Sequence, residues 1–279
     1  MNKKLFMKKV LPFLFLSIIV LISSCKSQYE LMLESNDVQG KYKMAFELFD
    51  KGKYSKSASM FESLKLAVRG TSKDDTVHFY TAYSYYKFGD PMAAEQSFYS
   101  FINTFPRSKL INQARFLYLD CLYEETYRYE LDQTPTYKAI GVIKEYIVDY
   151  PESEHREQCQ TMLDDLEERL DKKEYEAAKL YYKIEDYKAA HYALKLLLKE
   201  DPTNIYREDV MYYTVMAAYK YAFNSVAIKQ KDRYMVFIDE YLTFVGEYPE
   251  SDYRKQLDGL ARKVQKFMGS EIDLINENE

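Results

Sequence analysis

Four proline-centred stops punctuate the chain and limit what it can fold into: TFPRS at 104–108, DYPES at 149–153, EDPT at 200–203 and EYPES at 247–251. Proline cannot continue a helix, because it lacks the N–H and its ring meets the preceding turn. A serine or threonine just beyond can cap the helix that follows. The prolines lie 45, 51 and 47 residues apart. Between them run amphipathic segments at helical spacing, without Gly/Ser-rich linkers. The chain therefore reads as a series of helix pairs. Only 8 glycines and 7 prolines occur in 279 residues, which disfavours a turn-rich all-β fold.

The stretch Val77–Ser108 shows one such unit in full. Ala82 and Tyr85 share a helical face, Gly89-Asp90-Pro91 interrupts it, and Ala94, Phe98 and Phe101 restart it before Pro106. Small residues stand where two helices must approach closely, with aromatics beside them. This spacing resembles the tetratricopeptide helical repeat. A single unit cannot bury its apolar face, so further copies are expected. Ala45, Leu48, Gly52, Ser57 and Phe61 repeat the pattern upstream. Ala178, Tyr181, Asp186, Ala190 and Leu194 repeat it downstream. The expected fold is all-α, an α-solenoid of about five helix pairs plus a C-terminal capping helix. The repeats are expected at about 41–70, 75–106, 108–151, 153–202 and 204–249, with the cap at 251–268 and an acidic tail at 269–279. The 45–51-residue spacing exceeds the standard repeat of about 34, which implies longer helices. One long helix is expected over 154–182, and Leu131–Pro135 is a longer link than usual within the third repeat. Asp74 and Asp75 are candidate N-caps.

The N-terminus reads as an address. Lys3, Lys4, Lys8 and Lys9 precede the apolar run Leu11–Ile22, which is short for a membrane span and has the form of a secretory signal. The end Ile22-Ser23-Ser24-Cys25 resembles a lipobox, the bacterial lipoprotein cleavage site. Residues 1–24 are then the signal peptide, Cys25 the lipidated residue and 25–40 a tether. Lys26 is not the aspartate associated with inner-membrane retention, so the resemblance implies the outer membrane with the body facing the periplasm.

No catalytic constellation is present. His78, His155 and His191 are isolated, the glycines are dispersed, and no cofactor or metal motif occurs. The chain reads as a non-enzyme. A net charge of −5 with interleaved bases and acids excludes a nucleic-acid footprint. Cys121 and Cys159 read as buried helix residues, with a bridge between them as the lesser alternative. The chain has 29 tyrosines and no tryptophan. With the second repeat as ruler, Phe79, Tyr83, Tyr86 and Lys87 face the groove, matched in the first repeat by Tyr42, Phe46, Phe49 and Asp50. Aromatics at this spacing serve either as core or as a platform for an extended, aromatic-rich peptide.

Lipobox, tether, five extended repeats and Tyr-Pro-x-Ser stops together resemble the BamD family of outer-membrane assembly lipoproteins. The segments carrying the resemblance are Lys43–Phe61, Phe101–Ser108, Leu131–Ile140 and Ile147–Ser153. The resemblance implies a scaffold in the β-barrel assembly machinery. Its C-terminal repeats would bind the periplasmic domains of a BamA-type insertase, and its N-terminal repeats unfolded outer-membrane proteins. An adaptor of another envelope system, cell-wall or polysaccharide-associated, is the alternative. A nutrient-binding lipoprotein is a further one, disfavoured by the absence of tryptophan.

Overall fold

Each interval between stops becomes a pair of helices because the stops close alike. Phe105, Tyr150, Asp201 and Tyr248 are the C-caps, with φ between −124° and −128°. Beyond each proline, Ser108, Ser153 and Ser251 accept a hydrogen bond at Oγ from the N–H two residues on, and Asn204 does the same with its Oδ1. Arg156, Arg207 and Arg254 each reach back to the carbonyl of the proline five residues earlier. Proline ends the helix, the short polar side chain turns the chain, and the arginine ties the turn to the next helix.

The computed structural model describes the backbone of residues 26–276 and the side chains of 26–269. The signal segment 1–24, Cys25 and the last residues of the tail, 277–279, lie outside them. Helices are α1 (Gln28–Glu34), α2 (Val38–Asp50), α3 (Tyr54–Glu62), α4 (Lys65–Val68), α5 (Asp74–Phe88), α6 (Pro91–Thr104) and α7 (Ile111–Glu124). They continue as α8 (Thr134–Asp149), α9 (Arg156–Lys183), α10 (Tyr187–Glu200), α11 (Arg207–Phe223), α12 (Ala227–Glu247) and α13 (Arg254–Asn276). Among the described residues there is no strand, and within each compact unit successive helices pack in the all-α manner of tetratricopeptide repeats.

Two compact units divide at Glu125/Thr126. The division falls inside the third expected repeat, so α7 belongs to the first unit and α8 to the second. The long link noted in the sequence lies just beyond it.

Several sequence expectations change in detail. The tether expected at 25–40 contains α1, whose N-cap Ser27 forms a reciprocal capping box with Glu30, and the start of α2. Asp74 and Asp75 are not N-caps. They lie in the first turn of α5, where Asp74 accepts from the Gly70 N–H and Asp75 accepts from the Ser108 hydroxyl. The last helix continues through Asn276, past the expected end at Met268.

Every small position of the pattern is buried: Ala45, Ser57, Ala82, Ala94, Ala139, Ala178 and Ala190. Ser57 satisfies its hydroxyl on the Ala45 carbonyl, so a polar residue serves where alanine stands in other repeats. Gly52 and Gly89 adopt φ of 69° and 84° at the turn between paired helices, the left-handed region glycine enters without strain. The matching turn before α10 places Glu185 there at φ 65°. In the first unit Met60 and Phe61 of α3, Leu64 just beyond it and Val77 of α5 form a buried core with Ala45 and Leu48 of α2. In the second, Phe237 and Phe244 of α12 pack against Leu257, Ala261 and Val264 of α13, so the last helix closes the array. Cys121 and Cys159 are buried thiols, and neither is in a disulfide.

Buried phenols link the fold to pH. Burial, followed by the neighbouring Tyr212, Tyr187 and Tyr213, pushes the Tyr182 hydroxyl from 10.0 up to about 12. Burial and the adjacent Asp120 push the Cys121 thiol up to about 12. The unfolded chain releases phenol protons near pH 10 while the folded chain holds them. This contribution to stability is complete below pH 10 and is lost as pH rises through about 12. In an alkaline titration, helix loss by circular dichroism is expected to coincide with the late phase of tyrosinate absorbance. Tyrosine ionisation complete before any helix is lost would contradict it.

Candidate functional site

The candidate site grows from two helices of the first unit. In α2, Tyr42, Phe46 and Phe49 fall four and three residues apart, so they form one stripe. In α5, Tyr80, Tyr83 and Lys87 do the same. Helix α3 packs against both, and the two stripes meet through their rings. Ring centroids are 5.1 Å apart for Tyr42–Phe46, 4.6 Å for Phe46–Tyr80, and 5.3 Å for both Phe49–Tyr80 and Phe49–Tyr83. Tyr83 then stacks on Tyr86 at 6.2 Å. The result is a continuous row of rings, most of them edge to face, the arrangement favoured by the aromatic quadrupole.

Cations border the row. The Lys73 ammonium sits 4.4 Å over the Tyr42 ring, and Lys87 lies 5.3 Å and 5.9 Å from the Tyr83 and Tyr86 rings. At one end the Tyr86 hydroxyl donates to the buried Asp120 carboxylate of α7 at 2.6 Å. Burial first, then this hydrogen bond, raises the Tyr86 pKa strongly. Burial likewise raises that of Tyr42.

Of the seven groove candidates, Tyr42, Phe46, Phe49, Tyr83 and Tyr86 are half-buried and Lys87 is exposed. Phe79 is a correction: at 1% exposure it belongs to the core. Its ring turns toward the partner helix of its own pair, meeting Phe98 and Phe101 at 6.0 and 5.7 Å.

Sequence reasoning missed Tyr80, the hub that touches Phe46, Phe49, Phe61 and Tyr83. It also missed Asp120 and Lys73. Asp120 carried a signal, as the lone acid in the apolar run FLYLDCLY. The fourth repeat also builds aromatic contacts, but around buried Tyr175, stacked on Tyr206 at 5.1 Å with Lys179 over its ring. Among the described residues no group of His, Cys, Asp or Glu is arranged to hold a metal ion.

The family model for the outer-membrane lipoprotein YfiO matches residues 34–231, which include the whole aromatic row and three of the four stops. The chain belongs to the YfiO family of outer-membrane lipoproteins. This is the family, also called BamD, that its lipobox and stops resemble. No curated protein matches the sequence. Among the described residues no helix is long and apolar enough to cross a membrane.

Proposed function

We propose that this YfiO-family chain is an adaptor in outer-membrane β-barrel assembly, lipid-anchored through Cys25 and facing the periplasm. Its C-terminal repeats bind the periplasmic domains of a BamA-type insertase. The aromatic row of the first unit holds unfolded barrel substrates. The supporting observation is the row itself: half-exposed rings run without a gap across two successive helix pairs, in a chain whose family is made of outer-membrane lipoproteins. An extended peptide presents side chains to one face about every 7 Å, a period that a row of rings can follow. Tyrosine and phenylalanine supply large contact area at small entropic cost. No catalytic step is needed.

The test uses the full lipidated chain, extracted in mild detergent, and its Phe49→Ala/Tyr83→Ala variant. Tyr86 is left intact because it holds Asp120. Wild type should co-purify with a barrel protein that carries periplasmic repeat domains. It should also bind a synthetic peptide of alternating aromatic and polar residues. The variant should keep the barrel protein and lose about tenfold or more in peptide affinity, the scale of two interface anchors. Unchanged affinity in the folded variant would remove the groove assignment. Recovery of cell-wall enzymes in place of the barrel protein would favour an adaptor of another envelope system.

A further inference from the structure

The second unit has a place where its helix stacking is incomplete. At three other junctions the second helix of one pair lies along the first helix of the next: α3 on α5, α6 on α7, α10 on α11. At α9 this fails by length. Helix α9 has 28 residues and α8 only 16, about 42 Å against about 24 Å. Contacts place α8 on the first half of α9, where Lys144 pairs with Glu167 at 2.7 Å. The 126–133 segment then covers α9 as far as Lys173, whose ammonium donates to the Tyr129 and Leu131 carbonyls.

Beyond Lys173, α9 and α10 leave an open trough of about 690 Å³. Its floor includes the small residues Ala177, Ala178 and Ala193, which permit close approach of a backbone. Its walls are apolar and uncovered: Leu180 is 53% exposed, Tyr181 43%, Ile184 63% and Leu196 37%. A contiguous apolar surface of this kind marks an interaction site.

Charge narrows the occupant. Glu174, Glu200 and Asp201 rim the trough and are shared with an adjoining recess that adds Asp164, Glu168 and Asp171. Burial and the acids around it raise the Glu174 carboxyl above its usual range, so an arriving cation would relieve mutual repulsion.

We propose that this trough receives a helix of another protein, apolar on the face that enters and carrying lysine or arginine along its flanks. That helix takes the position a preceding repeat would fill in regular stacking. The acidic rim opposes an anionic membrane surface. A second copy of this chain has its most amphipathic helix, α13, already committed, with Leu257, Ala261 and Val264 buried in its own core. The inference rests on the second unit alone and stands whether or not the aromatic row binds peptides.

The test titrates the full chain with two synthetic helices of about 18 residues, long enough to hold helical structure. Both carry one leucine face, flanked by lysines in one and by glutamates in the other. The lysine helix should bind one to one, more weakly as salt rises, and the glutamate helix should not bind. Leu180→Asn/Ile184→Asn should lower the affinity about tenfold or more. Ile228→Asn, which alters an equally apolar residue that is 87% exposed on α12, should leave it unchanged. Glu174→Lys/Glu200→Lys should reverse the preference between helices. All these sites are exposed, so thermal melts should stay near wild type. The proposal is overturned by absence of binding, by equal binding of both helices, or by undiminished affinity in Leu180→Asn/Ile184→Asn. Self-association or vesicle binding that this variant abolishes would also overturn it, by assigning the trough to a second copy or to lipid.

Discussion

Phe79→Ala is expected to destabilise the first unit by about 3–5 kcal/mol, the cost of truncating a fully buried phenylalanine. The ring is 1% exposed and touches Tyr80, Tyr83, Phe98 and Phe101. Its removal costs the transfer free energy of the ring and leaves a cavity that rigid aromatic neighbours cannot collapse into. Hydrogen exchange of the α5 and α6 amides, or denaturant unfolding followed by near-ultraviolet circular dichroism, reads the change. Tyr83→Ala, at a half-buried position on the same helix, should cost clearly less. Below its unfolding midpoint, Phe79→Ala should bind the aromatic peptide as wild type does. A loss below about 1 kcal/mol, or a selective loss of peptide affinity, would return Phe79 to the groove.

The second large effect concerns the Tyr86–Asp120 pair. Tyr86→Phe keeps the ring and removes only the hydroxyl, so the Asp120 carboxylate, 8% exposed, loses the donor 2.6 Å away. An acceptor buried without its partner costs about 1–3 kcal/mol, more when charged. Replacing both partners by apolar groups removes that penalty, so Tyr86→Phe/Asp120→Leu should be more stable than Tyr86→Phe alone. The double-mutant cycle should give a coupling of about 0.5–3 kcal/mol. Independent, additive losses would show that the hydrogen bond does not tie α5 to α7. The pair explains why Tyr86 is an unsuitable probe of peptide contact: its removal disturbs the site's frame as well as its surface.

Much of the architecture could be read from residue spacing. The stops fall where helices end because proline and its neighbours act locally. The small positions of the first four repeats are buried because close helix approach allows little else there. The long helix expected over 154–182 is α9, Arg156–Lys183. Its length was visible, but the trough that follows from it was not, since that depends on how much of α9 the shorter α8 covers. The second half of the first repeat is two helices, α3 and α4, interrupted at Ser63-Leu64. The third repeat read as one unit in sequence, yet its two helices belong to different compact units.

The aromatic row shows where the boundary between the two kinds of information lies. Helical periodicity assigns Tyr42, Phe46, Phe49, Phe79, Tyr83 and Tyr86 to defined stripes, because spacing along a helix fixes angle around its axis. It also determined the all-α repeat class, and proline fixed the helix ends at the four stops, which depend on residues near in sequence. Burial depends on what lies opposite each stripe. Phe79 and Tyr42 hold equivalent positions in successive repeats. Phe79 meets Phe98 and Phe101 and is enclosed, whereas Tyr42 at the start of the array remains half-exposed beneath Lys73. Only tertiary structure decides which aromatic is core and which is surface, because the deciding atoms come from helices remote in sequence.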